Sequence, residues 1–210
     1  MKGVYFFMKK GKFIVIEGAD GLGKSTLIEN LKDNIEFDNN LPVVYLNDPS
    51  GDIPVAKDIR AIRKSSTDKM CKETDLLLTL AARRELTKVI EETLEHSNVV
   101  CDRYSLSTYI YQGMNFNDAF IFCLHEDLHL EIKPDVTIVL TRDNPYKEET
   151  DDAIEKVFKF KDIEKRYESA CRGFMQSRYN IVEICLGNMT SEEVLKEAKD
   201  VIENIEKYTN

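Results

Sequence analysis

The stretch Phe13-Ile14-Val15-Ile16-Glu17-Gly18-Ala19-Asp20-Gly21-Leu22-Gly23-Lys24-Ser25-Thr26 decides how the rest of the chain is read. Its first part is an apolar, β-branched run of the kind that fills a strand covered on both faces. Its second part fits G-x-x-x-x-G-K-[ST], and a helical pattern follows from Lys24 to about Glu36. Glycines let such a backbone turn tightly and approach an anion. The loop's N–H groups and the helix N-terminus then point at phosphate oxygens. Lys24 supplies a compact positive charge for the β and γ phosphates of a nucleoside triphosphate, and Ser25 offers a hydroxyl to Mg²⁺. Gly18, Ala19, Asp20, Gly21, Leu22, Gly23, Lys24, Ser25 and Thr26 are therefore the expected ATP-binding loop. Alone, the motif establishes nucleotide binding and no more, because regulatory and motor NTPases carry it too.

Further short apolar runs follow: Pro42–Asn47, Asn98–Asp102, Val136–Leu140 and Asn180–Cys185. Helical patterns separate them. One, from about Thr74 to His96, spaces Leu76, Leu80, Leu86, Ile90 and Leu94 along one face. Another runs from Ile163 to Met175, and Thr190-Ser191-Glu192-Glu193 has the look of a capped helix start. This alternation predicts the α/β class, a P-loop three-layer sandwich whose five-stranded parallel sheet is flanked by helices on both faces. One domain over residues 1–210 is expected, with ligands beyond the carboxyl ends of the strands.

The formal net charge is −9, which argues against a broad nucleic-acid footprint but not against one nucleotide held by a few converging cations. Five cysteines at long spacings, with no C-x-x-C, fit reduced thiols. The apolar stretch within Met1–Lys10 is too short for a secretory core, and no run is long enough to span a bilayer. A cytoplasmic protein with neither membrane nor nucleic-acid partner is expected.

Asp102-Arg103-Tyr104 stands at the end of the third strand, where a second site-forming loop should emerge. Asp102 is suited to orient a Mg²⁺-bound water and Arg103 to clamp phosphate; a strand-end ion pair is the plainer alternative.

From these residues the chain resembles the thymidylate kinases. The family form I-E-G-x-[DE]-G-x-G-K-[ST]-T is met by Ile16–Thr26, and D-R-[YH]-x-x-S-x-x-x-Y-Q-G by Asp102–Gly113. Its leucine-rich A-A-x-R segment matches Leu77–Arg83, and its P-D strand opening matches Pro134–Leu140. The resemblance implies transfer of the ATP γ-phosphoryl group to dTMP, giving dTDP and ADP, with Mg²⁺ held by Ser25 and Asp102. It implies Lys24, Arg103 and Asp20 as catalytic residues, with Asp20 on the sugar 3′-hydroxyl. Arg103 and Arg60 would hold the acceptor phosphate, Arg83 would sit beside the base, and Ser107 and Thr108 would meet its edge. Tyr111 would crowd the sugar 2′ position, and Asp48 would keep an acidic, metal-facing role. A homodimer through the Thr74–His96 helix is also implied.

Three positions depart from the family pattern. Asn47-Asp48-Pro49-Ser50-Gly51 lacks the usual arginine of R-E-P-G-G. Thr79 stands where many members stack a phenylalanine on thymine. A short lid, about residues 142–155, offers only Arg142 and Lys147 before Asp152-Ala153-Ile154-Glu155. Another deoxynucleoside or nucleoside monophosphate kinase is the alternative within the class, and a P-loop regulatory NTPase the alternative outside it. His125-Glu126-Asp127-Leu128-His129 matches the zinc pattern H-E-x-x-H, but Pro134 soon ends that helix, which is expected to be a solvated end.

Overall fold

Strand β1, Phe13–Glu17, has every residue buried in the computed structural model, which describes residues 10–48, 53–66, 69–144 and 159–208. Successive strand side chains point to opposite faces. Phe13 and Val15 pack with Leu86, Ile90 and Leu94 on one face, while Ile14 and Ile16 join Leu27, Leu31, Tyr109 and Val201 on the other. Both faces are dry, so the run is continuously apolar rather than alternating. Each fully buried side chain of this size contributes about 1.5–3 kcal/mol.

The other strands are β2 (Val43–Asn47), β3 (Asn98–Asp102), β4 (Val136–Thr141) and β5 (Ile181–Cys185). The sheet order is β2-β3-β1-β4-β5 and every pairing is parallel, as the strand–helix alternation predicts. Asp135 fixes the register at the strand starts: its N–H donates to Phe13 O (2.8 Å) and its carboxylate accepts from Phe13 N (2.5 Å). At the other end, Asp102 lies beside both Ile16 and Asn47, so β1, β2 and β3 finish level.

Parallel strands need crossovers, and helices supply them. In chain order they are α1 (Lys24–Lys32), α2 (Pro54–Ser66), α3 (Lys72–Thr93), α4 (Ser105–Tyr111), α5 (Asp118–Asp127), α6 (Phe160–Ala170), α7 (Phe174–Tyr179), α8 (Ser191–Glu203) and α9 (Ile205–Tyr208). α3 covers one face through Leu86 and Ile90; α1, α4, α6 and α8 cover the other. α8 opens with a full capping box between Thr190 and Glu193.

Two helices differ from expectation. α1 stops at Lys32 rather than Glu36. The side chain of Asn34 donates to the carbonyl of Asn30 (2.8 Å), a bond that competes with further helix. The face expected over Ile163–Met175 is split between α6 and α7 at Gly173, whose φ of +77° an α-helix cannot contain. Of the expected lid, Arg142 is described; Lys147 and the stretch Asp152–Glu155 lie outside the described residues.

Candidate active site

Two loops leave the sheet side by side, because β1 and β3 are neighbours. At Gly18 φ is +140°, and a Cβ there would lie 2.6 Å from the Leu140 carbonyl, so the turn out of β1 requires glycine. Gly23, at φ +84°, sits immediately before α1. Lys24, Ser25 and Thr26 form the first turn of α1, and the first-turn amides of a helix favour an anion at its N-terminus. Ser25 and Thr26 are exposed, whereas Lys24 is buried with its Nζ donating to Ala19 O (2.8 Å) and lying 3.4 Å from Asp20 Oδ1.

Arg103 follows β3 with φ of +65°, an unusual backbone for a branched-free but bulky side chain. Its backbone N–H donates to Ile16 O (2.9 Å), which ties it to the root of the Gly18–Gly23 loop. Nη2 donates to Asp20 Oδ1 (2.6 Å), and Nη1 donates to the Tyr167 hydroxyl (3.1 Å) and Ser107 Oγ (3.4 Å). The guanidinium lies 5.3 Å from the centre of the Tyr111 ring, which is itself buried. Lys24 and Arg103 thus meet on one carboxylate oxygen of Asp20.

Behind this pair lies Glu17, wholly buried. Its carboxylate accepts from the amides of Tyr104 (2.8 Å) and Ser107 (3.2 Å), from Ser107 Oγ (2.8 Å) and from the Tyr167 hydroxyl (2.8 Å). Burial pushes its pKa up, and the Arg103 charge and these donors pull against that shift. Neither Glu17 nor Tyr167 was among the expected site residues. A charged side chain ending a buried strand is a signal that could have found Glu17.

Beside them, Asp48 and Arg83 form a buried ion pair, and the Arg83 guanidinium lies 5.1 Å from the Tyr104 ring centre. Asp48 Oδ1, Arg83 Nε and Nη1, Asp102 Oδ1 and Thr108 Oγ1 are buried without a partner among the described residues. Buried polar atoms in this state are places where a ligand, ion or water is accepted. An exposed Ser25 hydroxyl and a spare Asp102 oxygen are hard oxygen donors of the type Mg²⁺ takes, so these residues fit that ion. The Ser107 hydroxyl is committed inward to Glu17, and Thr79 donates to Asp75 O (2.8 Å). Arg60 sits half-buried on α2.

Around the ends of β4 and β5 is a cavity of about 510 Å³, lined by Thr141, Arg142, Glu168, Glu183, Cys185 and Asn188 among others. Among the described residues no group of three or more His, Cys, Asp or Glu side chains is placed to hold a metal ion, and the H-E-x-x-H segment does not lie on one helix. α5 ends at Asp127, His129 lies beyond it at φ +48°, and His125 Nδ1 is 2.7 Å from Glu131 Oε2. His129 is exposed as a solvated helix end should be; His125 is not, since it is buried against Glu131.

A family model described as thymidylate kinase matches residues 16–202. A thymidylate kinase of Buchnera aphidicola subsp. Baizongia pistaciae is 39% identical over 140 residues, 63% of this chain and 65% of that protein. One of Mycoplasmoides gallisepticum is 33% identical over 141 residues, 65% of this chain and 66% of that protein. The chain thus spans just under two thirds of the length of these relatives. Among solved structures, a thymidylate kinase from Candida albicans has the same fold, with a TM-score of 0.69 at 21% identity over 94% of this chain and 93% of that one.

Proposed function

This chain belongs to the thymidylate kinase family, and on that basis we propose that it transfers the γ-phosphoryl group of ATP to dTMP, giving ADP and dTDP in the supply of dTTP. The convergence of Lys24 and Arg103 on Asp20, at 3.4 and 2.6 Å, carries this reading. Two cations from adjacent strand ends, bridged by one carboxylate, are what two phosphate groups facing each other require. A regulatory NTPase has no need of the second cation.

In this assignment the Gly18–Thr26 loop and Lys24 hold the donor phosphates, while Arg103 and Arg60 hold the acceptor phosphate. Asp20 turns from Arg103 to the sugar 3′-hydroxyl. Tyr111, under Arg103, closes the space beside the 2′ carbon. Thr108 and Arg83 have buried polar atoms to spend on the base, with Asp48 holding Arg83 in place. The cavity beyond β4 and β5 would take the donor's nucleoside. Ser25 and Asp102 would hold Mg²⁺, which when bound neutralises charge on the β and γ phosphates. Little covalent chemistry then falls to the protein, and alignment and charge do most of the catalysis. A second copy of the chain is the assigned partner, and the cytoplasm the assigned location. Among the described residues no helix is long and apolar enough to cross a membrane.

Thr79 favours a second reading, a looser choice of nucleoside monophosphate, because its small side chain is bonded to its own helix and offers no ring to stack on. ADP formation from Mg²⁺-ATP with dTMP, dUMP, dCMP, UMP or thymidine separates the two. dTMP should be the fastest acceptor. Equal ATP hydrolysis with and without any acceptor would refute the kinase assignment.

A further inference from the structure

Arg103 depends on residues far away in sequence. Tyr167 on α6 has no exposed surface, and its hydroxyl stands between two groups. It donates to Glu17 Oε2 (2.8 Å) and accepts from Arg103 Nη1 (3.1 Å). Ser107 Oγ runs in parallel, donating to the same Glu17 oxygen and accepting from the same nitrogen at 3.4 Å. Glu17 cannot drift, because the Tyr104 and Ser107 amides hold its other oxygen. The two terminal nitrogens of Arg103 are thereby gripped by different partners: Asp20 takes Nη2, and the two hydroxyls take Nη1.

We infer that Tyr167 is a positioning residue for the phosphoryl acceptor, aiming the Arg103 guanidinium from its anchor on Glu17. The inference rests on the functional reading above. A guanidinium recognises phosphate through a planar fork, so the orientation of its plane decides how well it binds. Bonded to Asp20 alone, Arg103 would follow the loop whenever that carboxylate moved to a substrate. Anchored on the Glu17 side as well, it stays in place while Asp20 is released. The grip also holds a residue whose backbone sits at positive φ, a conformation that persists only where its surroundings enforce it.

Tyr167→Phe keeps the ring and removes the hydroxyl. The expected result is a KM for dTMP raised about tenfold with the KM for ATP changed less than about twofold, the size of one lost charge-assisted hydrogen bond. Because Tyr167 acts through Arg103, the same change made on top of Arg103→Lys should shift the calorimetric Kd for dTMP by less than about twofold. Glu17→Gln removes the anchor's charge without changing its shape and should give the same acceptor-selective rise, which serves if Tyr167→Phe folds poorly. A folded Tyr167→Phe protein with both KM values unchanged overturns the inference. So does an equal loss in the presence and absence of Arg103→Lys. Wild-type protein that phosphorylates no nucleoside monophosphate overturns the functional reading first, and this inference with it.

Discussion

Glu164 and Glu131 are buried acids whose protonation moves in opposite directions. Burial pushes the Glu164 carboxyl up to about 7, against the Arg142 N–H that it accepts at 2.6 Å, and nearby Glu168, Glu183 and Asp143 push it the same way. A raised carboxyl favours the folded chain while protonated, so this contribution is complete below about pH 4.5 and is lost as pH rises through about 7. The melting temperature of Glu164→Gln, measured against wild type, should therefore gain steadily from pH 5 to pH 8; a constant difference would contradict it. Glu131 is the reverse. Burial would raise it, but the bond from His125 and the charge of Arg178 more than offset that and hold it at about 2. Its contribution is present above about pH 4.5 and fades as pH falls towards 2. Glu131→Gln should cost about 3 kcal/mol at neutral pH, as breaking a buried ion pair does, and much less near pH 2 in acid unfolding. Lys24, Asp20 and Arg103 could be singled out in the sequence because each sits inside a short motif, and the structure brings the three side chains together. Tyr167 could not: its partner Glu17 is 150 positions away, and a tyrosine at helical spacing reads as core. Ser107 was legible as a polar position, but nothing in the sequence says that its hydroxyl turns inward.

Gly113 shows how elements lock together. A Cβ there would run into the Arg166 guanidinium and come within 2.7 Å of the Asp118 carboxylate. Arg166 needs that space, since its Nη2 donates to the Tyr109 carbonyl (2.6 Å) and to Asp118 Oδ1 (2.8 Å). One side chain of α6 thus satisfies a last-turn carbonyl of α4 and ties both helices to the start of α5. Gly113→Ala should displace it and cost about 1–3 kcal/mol, read as a lower urea midpoint with an unchanged m-value. An unchanged midpoint would mean that Arg166 relocates freely. The strands were legible almost to the residue: β1, β3 and β4 are buried nearly throughout and read as apolar runs, and the less buried β2 and β5 still read as short β-branched runs. Helix ends were less so: α1 stops at a local bond from the Asn34 side chain to the Asn30 carbonyl, and Gly173 breaks the Ile163–Met175 face through a positive φ, neither of which apolar spacing encodes.

The five parallel strands, their helical cover and the loop after β1 follow from one alternating pattern. The order β2-β3-β1-β4-β5 does not, because nothing local says which strands will be neighbours. That order puts the ends of β1 and β3 together and brings the two motifs into contact. Assembly is proposed through α2 and α3, where Val55, Ile62 and Leu77 stand exposed. Val55 and Ile62, seven residues apart, share one side of α2. Sedimentation should give a dimer, and Ile62→Glu a monomer; a wild-type monomer at every concentration would remove that proposal. The claim on which all else depends is that Lys24 and Arg103 serve two different phosphate groups at once. A dinucleotide joining adenosine to thymidine through five phosphates would occupy both, because linking two ligands makes the second binding intramolecular. Calorimetry should show one such molecule per chain, bound at least about a hundredfold more tightly than ATP or dTMP, with the gain lost in either Lys24→Ala or Arg103→Ala. Binding no tighter than ATP, and indifferent to Arg103→Ala, would contradict it.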